Sequence, residues 1–300
     1  MAENNPFPGE NNTGHIWDDN LRELNNPPPS WWMIAFWASI IWWIGYAILY
    51  PMWPMPYQPT EGEGYTKGIL GWTQMDEYQK GVEQVQSMRA QYEDQIKGMT
   101  AEQIMADPGL TQYTLASSKV LYGDYCSACH GSGGQGNPGY PILADDDWLY
   151  GGSIAKIQET ILYGRKGAMT AHKDILSGAE IDQLANFVVA LSEGNATEEG
   201  WALYNAKGCN ACHGPKADGV LAMLPTGPVT VGAANLNDGI WRFEPGGYES
   251  AKHTIMYGVN QPGVEGSRDA VMPAFGETGK LGEQEIKKLV VYVHQFGGGL

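Results

Sequence analysis

Positive charge is scarce in this chain of 300 residues: 18 Lys and Arg stand against 34 Asp and Glu, a formal charge of −16. The deficit is −4 over residues 1–60 and −12 over the remainder. Such a surface argues against a nucleic-acid binder, whose affinity depends on basic groups neutralising phosphates. It attracts basic partners by long-range steering, at a rate that falls with salt. Cysteine is nearly absent as well. The four Cys are confined to two short runs, so no disulfide framework is available. The chain also lacks a basic start followed by a short apolar core, and a cleaved secretory signal is therefore not expected. Only one long uncharged apolar run occurs, and the length suits about two domains.

What the four cysteines do is repeat. Cys126-Ser127-Ala128-Cys129-His130 recurs as Cys209-Asn210-Ala211-Cys212-His213. Positions i and i+3 share one face of a helical turn, so both sulfurs of a run can meet the two vinyl groups along one haem edge. The following histidine then lies beneath the iron. This is the c-type haem attachment pattern. A redox Cys-x-x-Cys pair has no need of the adjacent histidine, and a zinc site made from both runs leaves their similar surroundings unexplained. Two covalent haems are the expectation, and this attachment chemistry belongs outside the cytoplasm.

Residues 1–30 read as a poorly ordered tail, Asn-rich and closing on Pro27-Pro28-Pro29. Trp31 to Tyr50 is uncharged over twenty residues, enough for a helix to cross a hydrocarbon core of ~30 Å. Trp31, Trp32 and Trp53 read as interfacial anchors, and Pro51 and Pro54 stop the helix. The deeper Trp37, Trp42 and Trp43 are expected to pack on partner helices. Residues 51–115 form a linker, Gly-rich over 56–71, and connecting helices. Thr73 with Asp76 and Thr100 with Gln103 signal helix starts. Met75, Tyr78, Val82, Val85, Tyr92 and Ile96 form an amphipathic stripe, read as packing surface.

The rest is a duplication. SKVLYGDYCSACHG (118–131) matches GWALYNAKGCNACHG (200–214), Trp148 matches Trp241, and Thr160–Gly164 matches Thr254–Gly258. Gly178–Leu191 matches Gly282–Gln295, an apolar-striped helix closing each copy. Two helical domains follow, 116–194 and 195–300, joined near Ser192–Thr197. The second copy is ten residues longer both between its His and Trp and between its Trp and late Met. Such insertions are expected in surface loops.

A haem iron held by one histidine needs a sixth ligand or an open site. His with Met raises the reduction potential and suits electron transfer. Met272, in Val271-Met272-Pro273-Ala274-Phe275, and Met169, at the aligned site, are the candidates, with His172 as the competitor of Met169. Met256 reads as core and Met223 as loop; His15, His253 and His294 read as ordinary polar side chains. Met169 can serve its own copy or the other, and so can Met272. Pro141 is placed to present a carbonyl to the free nitrogen of His130. Ala234 is its counterpart for His213, with Pro228 as the alternative, and Leu143 and Leu236 are expected to line the pockets.

Leu24-Asn25-Asn26-Pro27 before Trp31-Trp32, the exit at Tyr50-Pro51, a connecting helix and two CxxCH domains together resemble the diheme subunit of cbb3-type cytochrome c oxidases, the CcoP/FixP family. The likeness runs from about Gly14 to the C-terminus, with Thr170 standing where relatives commonly have proline. The resemblance implies an all-α chain with one N-terminal transmembrane helix, connecting helices and two tandem class I cytochrome c domains. It implies haem attachment at Cys126, Cys129, Cys209 and Cys212, axial ligands His130, His213, Met169 and Met272, and crossed methionine pairing as one arrangement. The implied role is a non-catalytic electron-transfer subunit. It takes electrons from a soluble or membrane cytochrome c and passes them towards a monohaem subunit and the heme–copper catalytic subunit. The chain would lie in a bacterial inner membrane, single-pass, with its haem domains on the periplasmic side. The alternatives are a membrane-tethered cytochrome, the cytochrome subunit of a periplasmic dehydrogenase, and a diheme peroxidase.

Overall fold

The structure, a computed structural model, describes residues 7, 9–18, 20–53, 68–225 and 227–297. In chain order its elements are β1 (Asn12–Trp17), β2 (Leu21–Leu24), α1 (Ser30–Leu49), α2 (Gln74–Lys97), α3 (Ala101–Met105), α4 (Pro108–Tyr125), α5 (Ser127–His130), α6 (Ile154–Tyr163), β3 (Arg165–Lys166), α7 (Gly178–Ser192), α8 (Glu198–Ala206), α9 (Asn210–His213), β4 (Val220–Leu224), β5 (Gly227–Thr230), α10 (Gly247–Tyr257), β6 (Val271–Met272) and α11 (Glu283–His294). Two compact units divide the chain, 1–89 and 90–300.

In the first unit the expected shapeless tail is corrected. β1 and β2 form an antiparallel hairpin with Trp17 opposite Leu21 and Ile16 opposite Arg22. Asp18 takes φ 48° at the reversal, a conformation that Asp tolerates better than most residues. The Arg22 guanidinium pairs with Glu10 and lies 3.9 Å over the Phe7 ring. No apolar alternation announces these strands, which is why sequence pattern misses them. α1 has 20 residues, none of them buried, and at 1.5 Å per residue it spans about 30 Å. It is long and apolar enough to cross a membrane. Its end is where expected: Tyr50 is extended, and its N–H bonds back to Tyr46. Pro54 and the Gly-rich stretch to residue 67 lie outside the described residues. α2 starts as the Thr73 signal requires, the Asp76 N–H donating to Thr73 Oγ1 at 3.0 Å. Its stripe is a different matter, because only Ile96 is buried while Met75 and Tyr78 are exposed.

The second unit has two apolar cores, and neither follows the sequence order of the repeats. The first gathers Ile96 of α2, Ile104 of α3, Tyr122 of α4, Ile157 and Ile161 of α6, and Leu289, Val290 and Val291 of α11. The second gathers Ile181, Leu184 and Phe187 of α7, Tyr204 of α8 and Ile255 of α10. The closing helix of each repeat therefore packs in the other repeat's core. The division at 194/195 separates the sequence copies but not the packed bodies. The physical reason is that α7 and α11 carry interchangeable apolar faces, so sequence cannot say which partner each prefers. Their caps also correct the alignment by one residue. Ser177, which accepts from the Glu180 N–H, corresponds to Gly282, whose N–H donates to Glu285 at 2.8 Å. In that register Phe187 matches Tyr292. Tyr292 lies 5.2 Å from the Tyr122 ring, and Phe187 lies 5.7 Å from the Tyr204 ring.

Polar contacts follow the same exchange. Asp182 of α7 pairs with Lys252 of α10 at 2.7 Å, and Glu180 pairs with Lys207 after α8 at 2.5 Å. The Lys207 ammonium holds the Glu180 carboxyl down at about 2. Lys288 of α11 reaches Glu93 of α2 at 2.8 Å, and Lys287 donates to the Ile96 and Lys97 carbonyls at 3.5 and 3.4 Å. It thus adds to the Met99 N–H, which already donates to the Ile96 carbonyl at 3.1 Å, in partnering the carbonyls that end α2. The chain is mostly helical, but all-α needs amending: among the described residues three two-stranded ladders are present, and one, β3 with β6, joins the two repeats.

Leu289→Ala is expected to cost about 2–5 kcal/mol and to lower hydrogen-exchange protection in α4 and α6 while sparing α8 and α10. The reverse distribution would mean that α11 packs within its own repeat.

Candidate functional site

Each Cys-x-x-Cys-His run folds as one helical turn. His130 N–H bonds to the Cys126 carbonyl at 2.9 Å, and His213 N–H to that of Cys209 at 3.0 Å. The cysteines are free thiols, and burial pushes Cys126 up to about 11. A tyrosine one turn upstream fastens the end of each run. Tyr122 O–H donates to the Gly131 carbonyl at 2.8 Å, and Tyr204 O–H to that of Gly214 at 2.7 Å. Burial raises both phenols above their ordinary pKa, so they stay protonated donors.

Both imidazoles are oriented by a backbone carbonyl. His130 Nδ1 lies 2.9 Å from the Pro141 oxygen, the expected partner, and His213 Nδ1 lies 2.8 Å from that of Ala234, so Pro228 is not used. The loops that carry these carbonyls are matched between repeats. Gly136 and Gly219 donate to the His130 and His213 carbonyls at 2.8 and 2.9 Å, and Leu143 and Leu236 donate further along at 2.6 and 2.7 Å. Burial holds both imidazoles below their ordinary pKa, favouring the neutral ring. With Nδ1–H donated to a carbonyl, Nε2 is left with a lone pair, the state a metal ligand requires.

The methionines come from strands that meet. Arg165 pairs with Met272 and Lys166 with Val271, while Met169 bridges Val259. Met272 packs on the first core with Cys126, Leu143 and Trp148. Met169 packs on the second with Cys209, Leu236 and Trp241. Two glycines permit this. Gly164, which closes α6, has φ 69°, and a Cβ there would stand 2.4 Å from the Met272 oxygen. Gly258, which closes α10, also has φ 69°, with the Met169 oxygen 2.2 Å away. Any side chain would push the methionine strand off the helix end. Met256 packs on the second core as expected. Met223 is 73% exposed, on β4 rather than in a loop. His172 N–H bonds to the Ile255 carbonyl as Phe275 N–H bonds to that of Ile161. His172 thus takes the place of Phe275, and its buried Nδ1 has no partner.

Sequence reasoning missed several residues around these turns. Arg165 lies 4.7 Å over the Tyr150 ring and Arg268 lies 4.4 Å over Phe243. This pair was recoverable, since Tyr150 and Phe243 both stand two residues after the matched tryptophans. Asn260 was not. It sits at φ 49° in the second insertion and donates to the carbonyls of both Gly167 and Ala270, each two residues before a methionine. That insertion is therefore part of the junction between the repeats and not a free surface loop. The first insertion forms the β4–β5 hairpin.

The donor set suits a haem. Each repeat offers two cysteines on one turn, the first of them packed on a core with a methionine thioether, and a neutral imidazole with one nitrogen engaged. Among the described residues no group of three or more His, Cys, Asp or Glu is clustered to hold a metal ion.

Comparison with known proteins gives consistent matches. Residues 9–56 match the family described as the N-terminal domain of cytochrome oxidase-cbb3, FixP. Residues 114–188 and 195–293 match cytochrome c oxidase, cbb3-type, subunit III. The chain is 37% identical to the cbb3-type cytochrome c oxidase subunit FixP of Azorhizobium caulinodans, over 97% of this chain and 94% of that protein. It is 36% identical to the subunit CcoP of Azospirillum brasilense, over 100% and 99%. It is 38% identical to the FixP of a Bradyrhizobium strain, over 97% and 96%.

Gly164→Ala and Gly258→Ala are each expected to weaken one methionine–iron contribution to the near-infrared absorption of the haem-loaded chain, and together to abolish it. A band that survives in the double variant would remove these helix ends from the ligand geometry.

Proposed function

The chain belongs to the FixP/CcoP family of cbb3-type cytochrome c oxidase subunits, and from that premise we propose how its residues carry electrons. It is a membrane-anchored electron-transfer subunit of that oxidase, with cytochrome c domains that imply haem c. In the finer reading two haems are attached, one through Cys126 and Cys129 and one through Cys209 and Cys212. When bound, haem c supplies a one-electron iron couple. The chain's own part is to hold each iron at fixed geometry. His130 and His213 bind through Nε2, steered by the Pro141 and Ala234 carbonyls. Met272 and Met169 would supply the thioether ligands.

Crossed ligation is the arrangement the packing favours, and it is the observation that carries this reading. Met272 shares a core with Cys126, and Met169 shares one with Cys209. Met272 would then face His130, and Met169 would face His213. A histidine and a methionine holding each haem would raise its potential, which suits electron transfer. Dioxygen reduction belongs to the heme–copper subunit, reached through the monohaem subunit. The haem-bearing residues lie on the periplasmic side in this reading, where thioether attachment occurs. Their acidity steers a basic donor cytochrome c into place.

Two measurements test this. In a Cys126→Ala/Cys129→Ala chain, Met169→Ala is expected to convert the remaining haem to a high-spin spectrum while Met272→Ala leaves it low-spin. The opposite result would establish in-repeat ligation. Extraction with acidified organic solvent is expected to leave two haems on each chain, and porphyrin in the organic phase would refute covalent attachment.

A further inference from the structure

The two methionine strands are reached from their helix ends in the same way. Gly164 and Gly258 match; Arg165 after the first pairs with Met272, and Val259 after the second bridges Met169. The next position differs in kind: Lys166 in the first repeat is Asn260 in the second. Lys166 is exposed, whereas the Asn260 side chain bonds within the junction. Its amide nitrogen donates to the Gly167 carbonyl at 2.5 Å and to the Ala270 carbonyl at 2.9 Å, and its amide oxygen accepts from the Ala270 N–H at 3.2 Å. A primary amide has two hydrogens to give, and here each goes to a different strand. Gly167 and Ala270 both stand two residues before a methionine, Met169 and Met272. The strands are also tied directly at this point, the Gly167 N–H donating to the Ala270 carbonyl at 3.3 Å.

We propose that Asn260 is a positioning residue for both haems, one amide that sets the spacing of the two methionine strands and thereby the reach of both thioethers towards iron. The inference rests on the ligand reading above and holds whichever iron each methionine serves. Two residues of chain, at most about 7 Å, separate each bonded carbonyl from its methionine, so a shift of the strand at the carbonyl is passed on to the sulfur. The three bonds lie partly buried, where water is a poor substitute for a lost donor. Asparagine suits the place by its backbone as well as by its side chain. At φ 49° most residues are strained, and Asn and Asp are among the few besides glycine that adopt such an angle readily. Of these only asparagine carries the donors. A carboxylate there would turn oxygens towards two carbonyls that need hydrogens.

The test uses the full haem-loaded chain in two backgrounds, Cys209→Ala/Cys212→Ala to leave haem at His130 alone and Cys126→Ala/Cys129→Ala to leave it at His213 alone. Haem content and the methionine–iron band in the near infrared are recorded in each background first. Their absence there would refute the ligand reading, and this inference with it, before Asn260 is altered. Asn260→Asp keeps a residue that tolerates the backbone angle and removes the donors. It is expected to weaken the near-infrared band in both backgrounds. It is also expected to let free imidazole displace the methionine at roughly tenfold lower concentration, the factor that one lost hydrogen bond of ordinary strength supplies. Asn260→Gly, without the carboxylate's repulsion, is expected to shift both haems in the same direction. Ser267→Ala removes a contact to the Gln261 N–H inside the same insertion and is expected to leave both haems unchanged. An effect confined to one background, no effect in either, or an equal loss from Ser267→Ala would overturn the proposal. If Asn260→Asp does not retain haem, Asn260→Gly decides by the same criterion.

Discussion

The molecule depends on the burial of α11 against α4 and α6. Leu289, Val290 and Val291 are wholly removed from solvent there, and nothing in their own repeat replaces that contact, because α7 already occupies the face of α8. Burial of this kind is the main favourable term in folding. Here it also sets topology: once α11 seats on the first repeat, the strand before it must follow. Tyr122 links the two consequences, since its ring packs against Tyr292 and edge-on to Phe296 while its hydroxyl fastens the turn that bears His130. The packing of one helix and the posture of one haem-binding turn are therefore a single problem.

From the exchange follows the meeting of the two methionine strands. β3 and β6 are too short to be stable alone, and pairs of strands gain stability only against a packed surface. They get that surface from the ends of α6 and α10, where glycine in a left-handed conformation lets a foreign backbone approach. Asn260 then binds both strands at equal distance from their methionines. The placement of the two methionines is a property of the junction and not of either repeat.

Much of this was legible in the sequence. The two Cys-x-x-Cys-His turns, the duplication, the apolar run and the carbonyl behind His130 all follow from local spacing, and local spacing is what a sequence displays directly. The caps at Thr73 and Thr100 were legible for the same reason. Which closing helix packs where was not, because Ile181, Leu184 and Phe187 present the same kind of face as Ile286, Leu289 and Tyr292. A choice between equivalent partners leaves no periodic mark. The N-terminal hairpin went unread because its strands have no alternating pattern, and the stripe along α2 was over-read because most of it is exposed in this chain.

The exchange of closing helices has a consequence for biogenesis. Polypeptides leave the ribosome from the amino end, so Cys126 and Cys129 emerge while the rest of their enclosure, residues 271–294, is still unmade. The later pair, Cys209 and Cys212, finds Met169 and α7 already synthesised and lacks residues 234–257. The pocket written second is thus the first whose parts are all synthesised, and the pocket written first waits until the chain's last helix has been delivered.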